Sequence, residues 1–175
     1  NAYVQIIMTR GTPPIGIRDP RECQNQFYAF CVPYIWIATE AQREYGLKLV
    51  VSSIQRIPVS SVDPTLKHYH WLDFQMGLFE AYERGGDTVV LTDEAGLVTE
   101  GPGFNIFIVK DGNIGTPRHG VLNGMTRQTV SELCAEIGVS CFSKDIPVEH
   151  LINADEVFLS STAGGIIPVT TVNGH

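Results

Sequence analysis

Apolar and polar residues alternate in several short segments of this chain, and this two-residue period is typical of β-strands. The first such segment, residues 3–9, is rich in β-branched side chains and ends at a turn with one glycine and two prolines. Later runs are bounded by Gly, Pro, Asn or Asp residues. The pattern predicts further strands over residues 27–32, 48–54, 87–92, 97–100, 104–109, 156–159 and 166–172.

A helical period occurs in three other segments. The best defined helix begins near Thr126 and ends at Gly138. Four apolar residues share one face of it: Val130, Leu133, Cys134 and Ile137. Apolar spacing from Trp71 predicts a second helix that reaches about Gly85, and a shorter helix follows Pro147.

The chain combines predicted strands with predicted helices, in the order strand, loop, helix, strand over residues 48–92, which indicates an α/β (α+β) fold. Pro33 interrupts the apolar run after the second strand, and we place a boundary there. We predict the tail of a small N-terminal α/β domain over residues 1–34, a linker over 35–42 and a large domain over 43–175. Because the first strand has no lead-in and the last ends at the turn signal Asn173-Gly174, we expect further residues on both sides.

The composition predicts a globular protein and excludes several classes of partner. Hydrophobic residues make up 43% of the 175 residues, the net charge is −7, and no basic run occurs. These features argue against nucleic acid or an anionic membrane as a partner. No apolar segment approaches the roughly 20 residues of a membrane span, and no signal peptide begins the chain. The four cysteines include no C-x-x-C pair, so we expect reduced thiols and a cytoplasmic location.

Lys67 is the leading candidate for a reactive side chain. It lies between Pro64, which keeps the preceding residue extended, and the helix predicted from Trp71. Near an apolar wall a lysine loses its charge by desolvation, and the neutral amine forms a Schiff base with a carbonyl compound. The other three of the chain's four lysines have ordinary surface explanations: Lys48, Lys110 and Lys144. A solvated loop lysine is the alternative interpretation.

Glu100 is a candidate partner for the ring nitrogen of a carbonyl cofactor. It ends the predicted strand 97–100, directly before Gly101-Pro102-Gly103, where missing side chains let the backbone approach a flat ligand. A carboxylate there keeps a pyridine nitrogen protonated, which makes the ring an electron sink. A solvated glutamate at a strand end is the alternative.

Two segments are candidates for a phosphate site. The helix near Thr126 offers free N–H groups and a favourable dipole at its start, although Thr126 as a simple N-cap explains the same residues. The hydroxyl run Ser160-Ser161-Thr162 ends another strand, and a polar loop is an equally good interpretation of it. His68 and His70 lack a third ligand at a suitable spacing, so we predict no metal site.

Four motifs in one order resemble those of the fold-type IV pyridoxal-phosphate transaminases, most closely the (R)-selective amine transaminases. They are VDPTLK at residues 62–67, LVTEGPGFN at 97–105, GVLNGMTR at 120–127 and STAGGIIP at 161–168. The resemblance covers nearly the whole chain. It implies a large domain with a mixed, barrel-like sheet and flanking helices, pyridoxal 5′-phosphate as the cofactor, and a homodimer.

The resemblance also implies roles for individual residues. Lys67 is the residue that joins the cofactor and then acts as general base, and Glu100 pairs with the pyridine nitrogen. Leu122 supports the ring. The remaining implied contacts are Met125, Thr126 and Thr162 for the phosphate, Ser161 and Trp71 at the active site, and an arginine of the loop after Arg10, Arg18 with Arg21 as the alternative, for the carboxylate of the acceptor. The spacing of four residues separately predicts that Trp71 lies one helical turn from Lys67. Relatives have a small N-terminal domain that supplies a further phosphate-binding arginine and an active-site tyrosine, and they continue beyond the last strand of this chain. Neither of these two segments is in this sequence.

The favoured function is transfer of an amino group from an (R)-amine or D-amino acid to a 2-oxo acid such as pyruvate. Within the same fold type the alternatives are a branched-chain or D-amino-acid aminotransferase and an aminodeoxychorismate lyase. The alternative outside the enzymes is that the chain is an inactive or truncated subunit of an oligomer. Donor assays distinguish the enzymes from one another.

Overall fold

The computed structural model describes residues 1–175, which divide into two compact units, 1–37 and 38–175. The first unit is a two-stranded antiparallel sheet of β1 (Ala2–Thr9) and β2 (Gln26–Pro33), which pairs Ala2 with Pro33 and Thr9 with Gln26. The connection between the strands holds a short 3₁₀ turn, Pro20–Glu22, capped by the Asp19 side chain.

The second unit contains four helices and seven strands. The helices are α1 (Glu40–Tyr45), α2 (Leu72–Glu83), α3 (Met125–Glu136) and α4 (Val148–Ile152). The strands are β3 (Leu47–Gln55), β4 (Thr88–Thr92), β5 (Asn105–Lys110), β6 (Asn113–Pro117), β7 (Cys141–Lys144), β8 (Glu156–Ser161) and β9 (Gly165–Val172). None of the helices has the length and apolarity that crossing a membrane requires.

The seven strands form one mixed sheet in the order β4-β3-β9-β8-β5-β6-β7. Strand β3 runs parallel to β4 and β9, and β6 runs parallel to β7, whereas the pairs around β5 and β8 are antiparallel. The β5–β6 turn is Asp111-Gly112, and both residues have positive φ (51° and 72°). This is the conformation that a two-residue hairpin with right-handed twist requires, so the predicted turn is confirmed.

The predicted strand over residues 97–100 is wrong, because this segment makes only isolated bridges with two different neighbours. The Val98 N–H donates to the Ile146 carbonyl, just beyond β7, at 2.8 Å, and the Thr99 N–H donates to the Leu91 carbonyl of β4 at 2.9 Å. Since β4 and β7 are the two edges of the sheet, segment 97–100 links the edges and makes the sheet barrel-like.

Both faces of the sheet are buried, which explains the nearly continuous apolar runs of β3, β4 and β5. The inner face forms the main core, around Leu49, Val90, Ile106 and Leu159. On the outer face, α2 covers Val50, Val89 and Leu91, and α3 covers Phe107.

Helix α1 was not expected, because residues 35–42 carry the predicted linker and no apolar period. Its start depends instead on a capping box: the Gln42 N–H donates to the Thr39 hydroxyl at 3.2 Å, and the Thr39 N–H donates to the Gln42 side-chain oxygen at 2.9 Å. The four cysteines are free thiols.

Candidate functional site

A cavity of about 280 Å³ lies in the second unit, where four segments of the chain meet. Eight of the residues predicted for the site line it: Lys67, Trp71, Glu100, Leu122, Met125, Thr126, Ser161 and Thr162. The ninth, Arg18, belongs to the first unit and is not among the lining residues. Further lining side chains that argue for a ligand site are Arg56, Phe104, Asn105 and Ser160.

Lys67 lies in the irregular segment between β3 and α2. An Asx turn shapes this segment, since the Asp63 side chain accepts hydrogen bonds from the Thr65 N–H at 2.9 Å and from the Thr65 hydroxyl at 2.7 Å. Lys67 is exposed. The expected desolvation by an apolar wall is therefore absent, because the residues around Lys67 leave its side chain open to solvent.

Helix α2 begins only at Leu72, so the prediction that Trp71 lies one helical turn from Lys67 is wrong. Trp71 is the N-cap residue of α2 and packs edge-on against Phe74, with ring centroids 5.8 Å apart. This contact places the indole on the cavity wall although the intervening segment is not helical.

Glu100 is buried, with 6% of its surface exposed, so the solvated strand-end interpretation is wrong. Its Oε2 accepts the Leu122 N–H at 2.9 Å, and its Oε1 accepts the Arg56 guanidinium Nη2 at 3.3 Å. Burial raises the pKa of Glu100, and the Leu122 N–H and the positive charges of Arg56 and Lys67 oppose that rise. The barrel-closing segment 97–100 holds this carboxylate in place through its backbone.

Arg56 is a site residue that the sequence pattern did not indicate. Its side chain is only 4% exposed, and its Nη1 donates to Asp73 Oδ2 at 2.6 Å. The guanidinium also lies over the Phe74 ring, 4.2 Å from the centroid. The buried Arg56 and Glu100 and the half-buried Asp73 form one ionic network, which we call the charged cluster. The only sequence signal for it is an arginine directly after a buried strand.

Asp73 anchors the charged cluster to the first turn of α2. Burial favours a higher pKa for Asp73, but hydrogen bonds from the Ile57 N–H and from Arg56 outweigh burial and lower the pKa. Asp73 therefore stays ionised opposite Arg56, and this fixes the guanidinium that faces Glu100.

The start of α3 lies on the cavity, and its N-cap is Gly124, which provides no side-chain cap. The interpretation of Thr126 as N-cap is therefore wrong. A Cβ at Gly124 would overlap with Asn105 Oδ1, so a larger residue here would force the Asn105 side chain to move. Asn105 holds the preceding loop by donating to the Leu122 carbonyl at 2.9 Å. The first N–H groups of α3 have no partner within the helix and make a site for an anion.

Three consecutive hydroxyl residues lie at the end of β8, and they differ in their contacts. The Ser161 hydroxyl donates to the Gly103 carbonyl at 2.8 Å, which ties β8 to the loop after Glu100. The Ser160 hydroxyl is buried and has no hydrogen-bond partner. Thr162 is exposed at the cavity rim. We call Gly124, Met125, Thr126, Ser160 and Thr162 the helix-start group.

The lining residues fit pyridoxal 5′-phosphate by charge and by chemistry. Lys67 is the one lysine among them, and Glu100 is their one carboxylate. The helix-start group supplies neutral donors for a phosphate, one of which is an unpaired buried hydroxyl. A carbonyl carbon, a protonated ring nitrogen and a phosphate monoester are the three features that such a set of groups matches.

Known proteins with a similar sequence are aminotransferases. The family model for amino-transferase class IV matches residues 1–172. The branched-chain-amino-acid aminotransferase of Pseudomonas aeruginosa is 32% identical over 179 residues, which cover 100% of this chain and 57% of that protein. A Methanocaldococcus jannaschii protein named "Putative branched-chain-amino-acid aminotransferase" is 33% identical over 178 residues. The match covers 100% of this chain and 60% of that protein.

Solved structures show the same likeness. The branched-chain aminotransferase of Escherichia coli superposes with a TM-score of 0.92 at 30% identity, covering 99% of this chain and 58% of that one. Another branched-chain amino acid aminotransferase, solved with pyridoxamine 5′-phosphate, gives a TM-score of 0.87 at 28% identity. The superposition covers 98% of this chain and 56% of that one. The chain thus spans somewhat more than half the length of these relatives.

Proposed function

Since the chain belongs to the class IV aminotransferase family, whose members use pyridoxal phosphate, we propose that it is the catalytic part of a transaminase that acts on branched-chain amino acids. The observation that carries the proposal is the convergence of Lys67, Glu100 and the start of α3 on one cavity. These three features lie far apart in sequence, and a shared cavity is what a single cofactor with three reactive groups requires.

The comparisons favour branched-chain amino acids as substrates over (R)-amines. The relatives described above carry branched-chain aminotransferase names, from an archaeon and from bacteria. The arrangement of the cofactor site does not distinguish branched-chain amino acids from (R)-amines, because the reactions of both substrate classes need the same lysine and carboxylate. The preference for an (R)-amine or D-amino acid therefore has only the motif resemblance in its favour, and the branched-chain alternative has the support of the relatives.

When bound, pyridoxal phosphate supplies an electrophilic carbonyl carbon and a conjugated ring that accepts the electron pair left at the substrate's α carbon. Lys67 Nζ is the amine positioned to bind that carbonyl. With the cofactor bound, the same nitrogen would take up the proton from the substrate's α carbon and would later give it back, which is general acid–base catalysis by one group. The solvent exposure of Lys67 leaves it free to move between these positions.

Glu100 provides the negative charge that keeps the ring nitrogen protonated. Its two oxygens each accept one hydrogen bond from the protein, from Arg56 and from the Leu122 N–H, and each oxygen retains a lone pair for the ligand. Those two contacts fix the carboxylate before the ligand arrives, so little reorganisation is needed during the reaction. Leu122 and Trp71 supply apolar surface for the ring.

The proposal is tested with the natural full-length protein. We expect transfer of the amino group from leucine, isoleucine or valine to 2-oxoglutarate, and a new absorbance band when pyridoxal phosphate is added. Borohydride reduction followed by peptide mass analysis should find the cofactor on Lys67. Unlabelled Lys67 would refute the catalytic assignment.

Parallel assays decide the substrate class. Amination of pyruvate by (R)-1-phenylethylamine at a higher rate than any branched-chain reaction would favour the amine transaminase, and release of 4-aminobenzoate would indicate the lyase. A cofactor-loaded protein without any transferase activity would support the inactive-subunit alternative. The roles of Arg18 in binding the acceptor carboxylate and of a homodimer stay predictions, to be checked by the KM for the acceptor in Arg18→Ala and by sedimentation.

A further inference from the structure

Ser160 has an unusual combination of burial and missing contacts. Its exposure is 2%, its hydroxyl has no hydrogen-bond partner in the protein, and it lines the cavity. Leaving a buried hydroxyl unpaired is unfavourable by about 1–3 kcal/mol, so most such groups in proteins are paired. The two hydroxyl residues that follow it do not show this feature, since Ser161 is bonded to Gly103 and Thr162 is exposed.

The strand register shows which side of the sheet this hydroxyl occupies. Ser160 is paired with Asn105, and Phe158 is paired with Phe107 two residues earlier. The two phenylalanine rings stack at 4.8 Å on the face that α3 covers. Since residues two apart in a strand share a face, Ser160 and Asn105 lie on the α3 side as well.

Asn105 connects this position to the start of α3. Its Nδ2 donates to the Leu122 carbonyl, and its Oδ1 is in close approach to Gly124, the N-cap of α3. A directly opposed pair on adjacent antiparallel strands has Cβ atoms about 5 Å apart. The Ser160 hydroxyl therefore lies beside the side chain that contacts the helix start, in the same cavity as Met125 and Thr126.

We propose that the Ser160 hydroxyl is a hydrogen-bond donor to the oxyanion held at the start of α3, and that this oxyanion is the phosphate of the cofactor. The assignment rests on the proposed function for the identity of the ligand. An anionic oxygen suits the position because the unpaired helix N–H groups and the hydroxyl are all neutral donors, and no carboxylate belongs to the helix-start group.

The test compares pyridoxal phosphate with pyridoxal, which lacks the phosphate, in the wild-type full-length protein and in Ser160→Ala. We expect Ser160→Ala to weaken the binding of pyridoxal phosphate about tenfold and to leave the binding of pyridoxal unchanged, since one hydrogen bond to a charged oxygen is worth roughly a factor of ten. Ser140→Ala, in an exposed loop, is the matched control and should bind both compounds as the wild type does.

The second measurement is the melting temperature, which does not depend on enzyme activity. In the cofactor-free protein, Ser160→Ala should melt at the same or a higher temperature, because the change removes an unpaired buried hydroxyl. Inorganic phosphate at millimolar concentration should raise the melting temperature of the wild type more than that of the variant. A merely structural serine would instead lower the melting temperature when replaced and leave the phosphate effect unchanged.

Each outcome decides the proposal. An unchanged ratio of the two affinities in Ser160→Ala overturns it and leaves the transaminase proposal intact. A higher KM for the 2-oxo acid with unchanged cofactor affinity assigns the hydroxyl to the substrate carboxylate and overturns the phosphate assignment. If the wild type binds neither pyridoxal phosphate nor inorganic phosphate, both the proposed function and this inference fail.

Discussion

One part of the cavity is built on paired charges and another on neutral donors. In the charged cluster, Glu100 and Asp73 each accept a hydrogen bond from the buried Arg56. In the helix-start group the lining groups are backbone N–H groups and hydroxyls, and Ser160 has no partner. A buried charge needs a permanent counter-charge, whereas a neutral donor can remain unpaired at modest cost until a ligand brings the negative charge.

Mutations in the charged cluster and in the helix-start group should have different consequences. Breaking the charged cluster should damage the folded state itself, because an unpaired charge is left inside the protein. Removing a hydroxyl from the helix-start group should leave folding intact and reduce ligand binding. Lys67 belongs to neither region, and it offers the largest separation of activity from stability.

Replacing Lys67 should have the largest effect on activity. We expect Lys67→Ala to lower kcat by at least about 10⁴-fold, because one residue serves both to bind the carbonyl and to move the proton. The free energy of unfolding of the cofactor-free protein should change by less than about 0.5 kcal/mol, since Lys67 is exposed. Steady-state kinetics and urea denaturation measure the two quantities. Lys48→Ala serves as the control, and an active Lys67→Ala enzyme would contradict the assignment.

Replacing Arg56 should have the largest effect on stability. Arg56→Ala leaves the buried Glu100 and the half-buried Asp73 without their counter-charge, and we expect the free energy of unfolding to fall by about 3–5 kcal/mol. Urea denaturation of the cofactor-free protein gives the value. The matched control is Arg118→Ala, which breaks an exposed pair with Asp145 and should change stability by less than about 1 kcal/mol.

A triple variant sharpens this prediction. Arg56→Met combined with Glu100→Gln and Asp73→Asn removes all three charges, and much of the lost stability should return, because no charge is left unpaired. Equal losses in Arg56→Ala and in the triple variant would contradict the explanation by unpaired charge.

Glu100→Gln should reduce kcat about 10²-fold, because the amide lacks the charge that keeps the ring nitrogen protonated. The variant also has a signature in pH. Burial raises the pKa of Glu100 above its ordinary value of 4.5, so between 4.5 and the raised pKa the folded protein holds a proton that the unfolded chain has lost. The Glu100 contribution to stability therefore falls as pH increases through this window.

Denaturation at a series of pH values, with wild type and Glu100→Gln compared, measures that slope. The difference in unfolding free energy between the two proteins should change with pH above 4.5 in the direction that favours the variant. A difference that is independent of pH would contradict a raised pKa for Glu100.

Glu80 provides the opposite case and the smallest effect. Although burial opposes it, hydrogen bonds from Ser52, Ser53 and Arg84 lower the pKa of Glu80 to about 2, from an ordinary value of 4.5. Glu80 therefore stabilises the fold fully above pH 4.5 and loses this contribution as pH falls toward 2. We expect Glu80→Gln to lower the free energy of unfolding at pH 7 by about 2 kcal/mol, with the difference vanishing in acid. Exposed Glu83→Gln is the control.

Much of the fold was predictable because it depends on local signals. The hairpin at Asp111-Gly112, helix α3 from its apolar spacing, and the strands around β3 and β8 follow from turn chemistry and periodicity. The capping box of α1 was present in the sequence, but the helix is too short to show a period. The segment 97–100 has the composition of a strand, and only its bonds to two sheet edges show that it closes the barrel.

The candidate site was predictable to a similar degree. Lys67, Glu100 and the start of α3 were recognisable from their motifs. The exposure of Lys67 was not, because it depends on which distant segments cover the side chain. Arg56 was missed for a related reason: its two partners lie 17 and 44 residues away, and no local pattern indicates a pairing over that separation.

The sequence by itself determined most of the elements, the three candidate features of the site and the family, because each depends on residue types at fixed local spacing. Only the tertiary structure decided which charges are paired and which hydroxyl is left unpaired. Arg56 has two counter-charges and Ser160 has no partner, although both are ordinary polar residues at the ends of buried strands. Burial and pairing are properties of the surroundings in three dimensions, and two residues with the same sequence context can therefore have opposite environments.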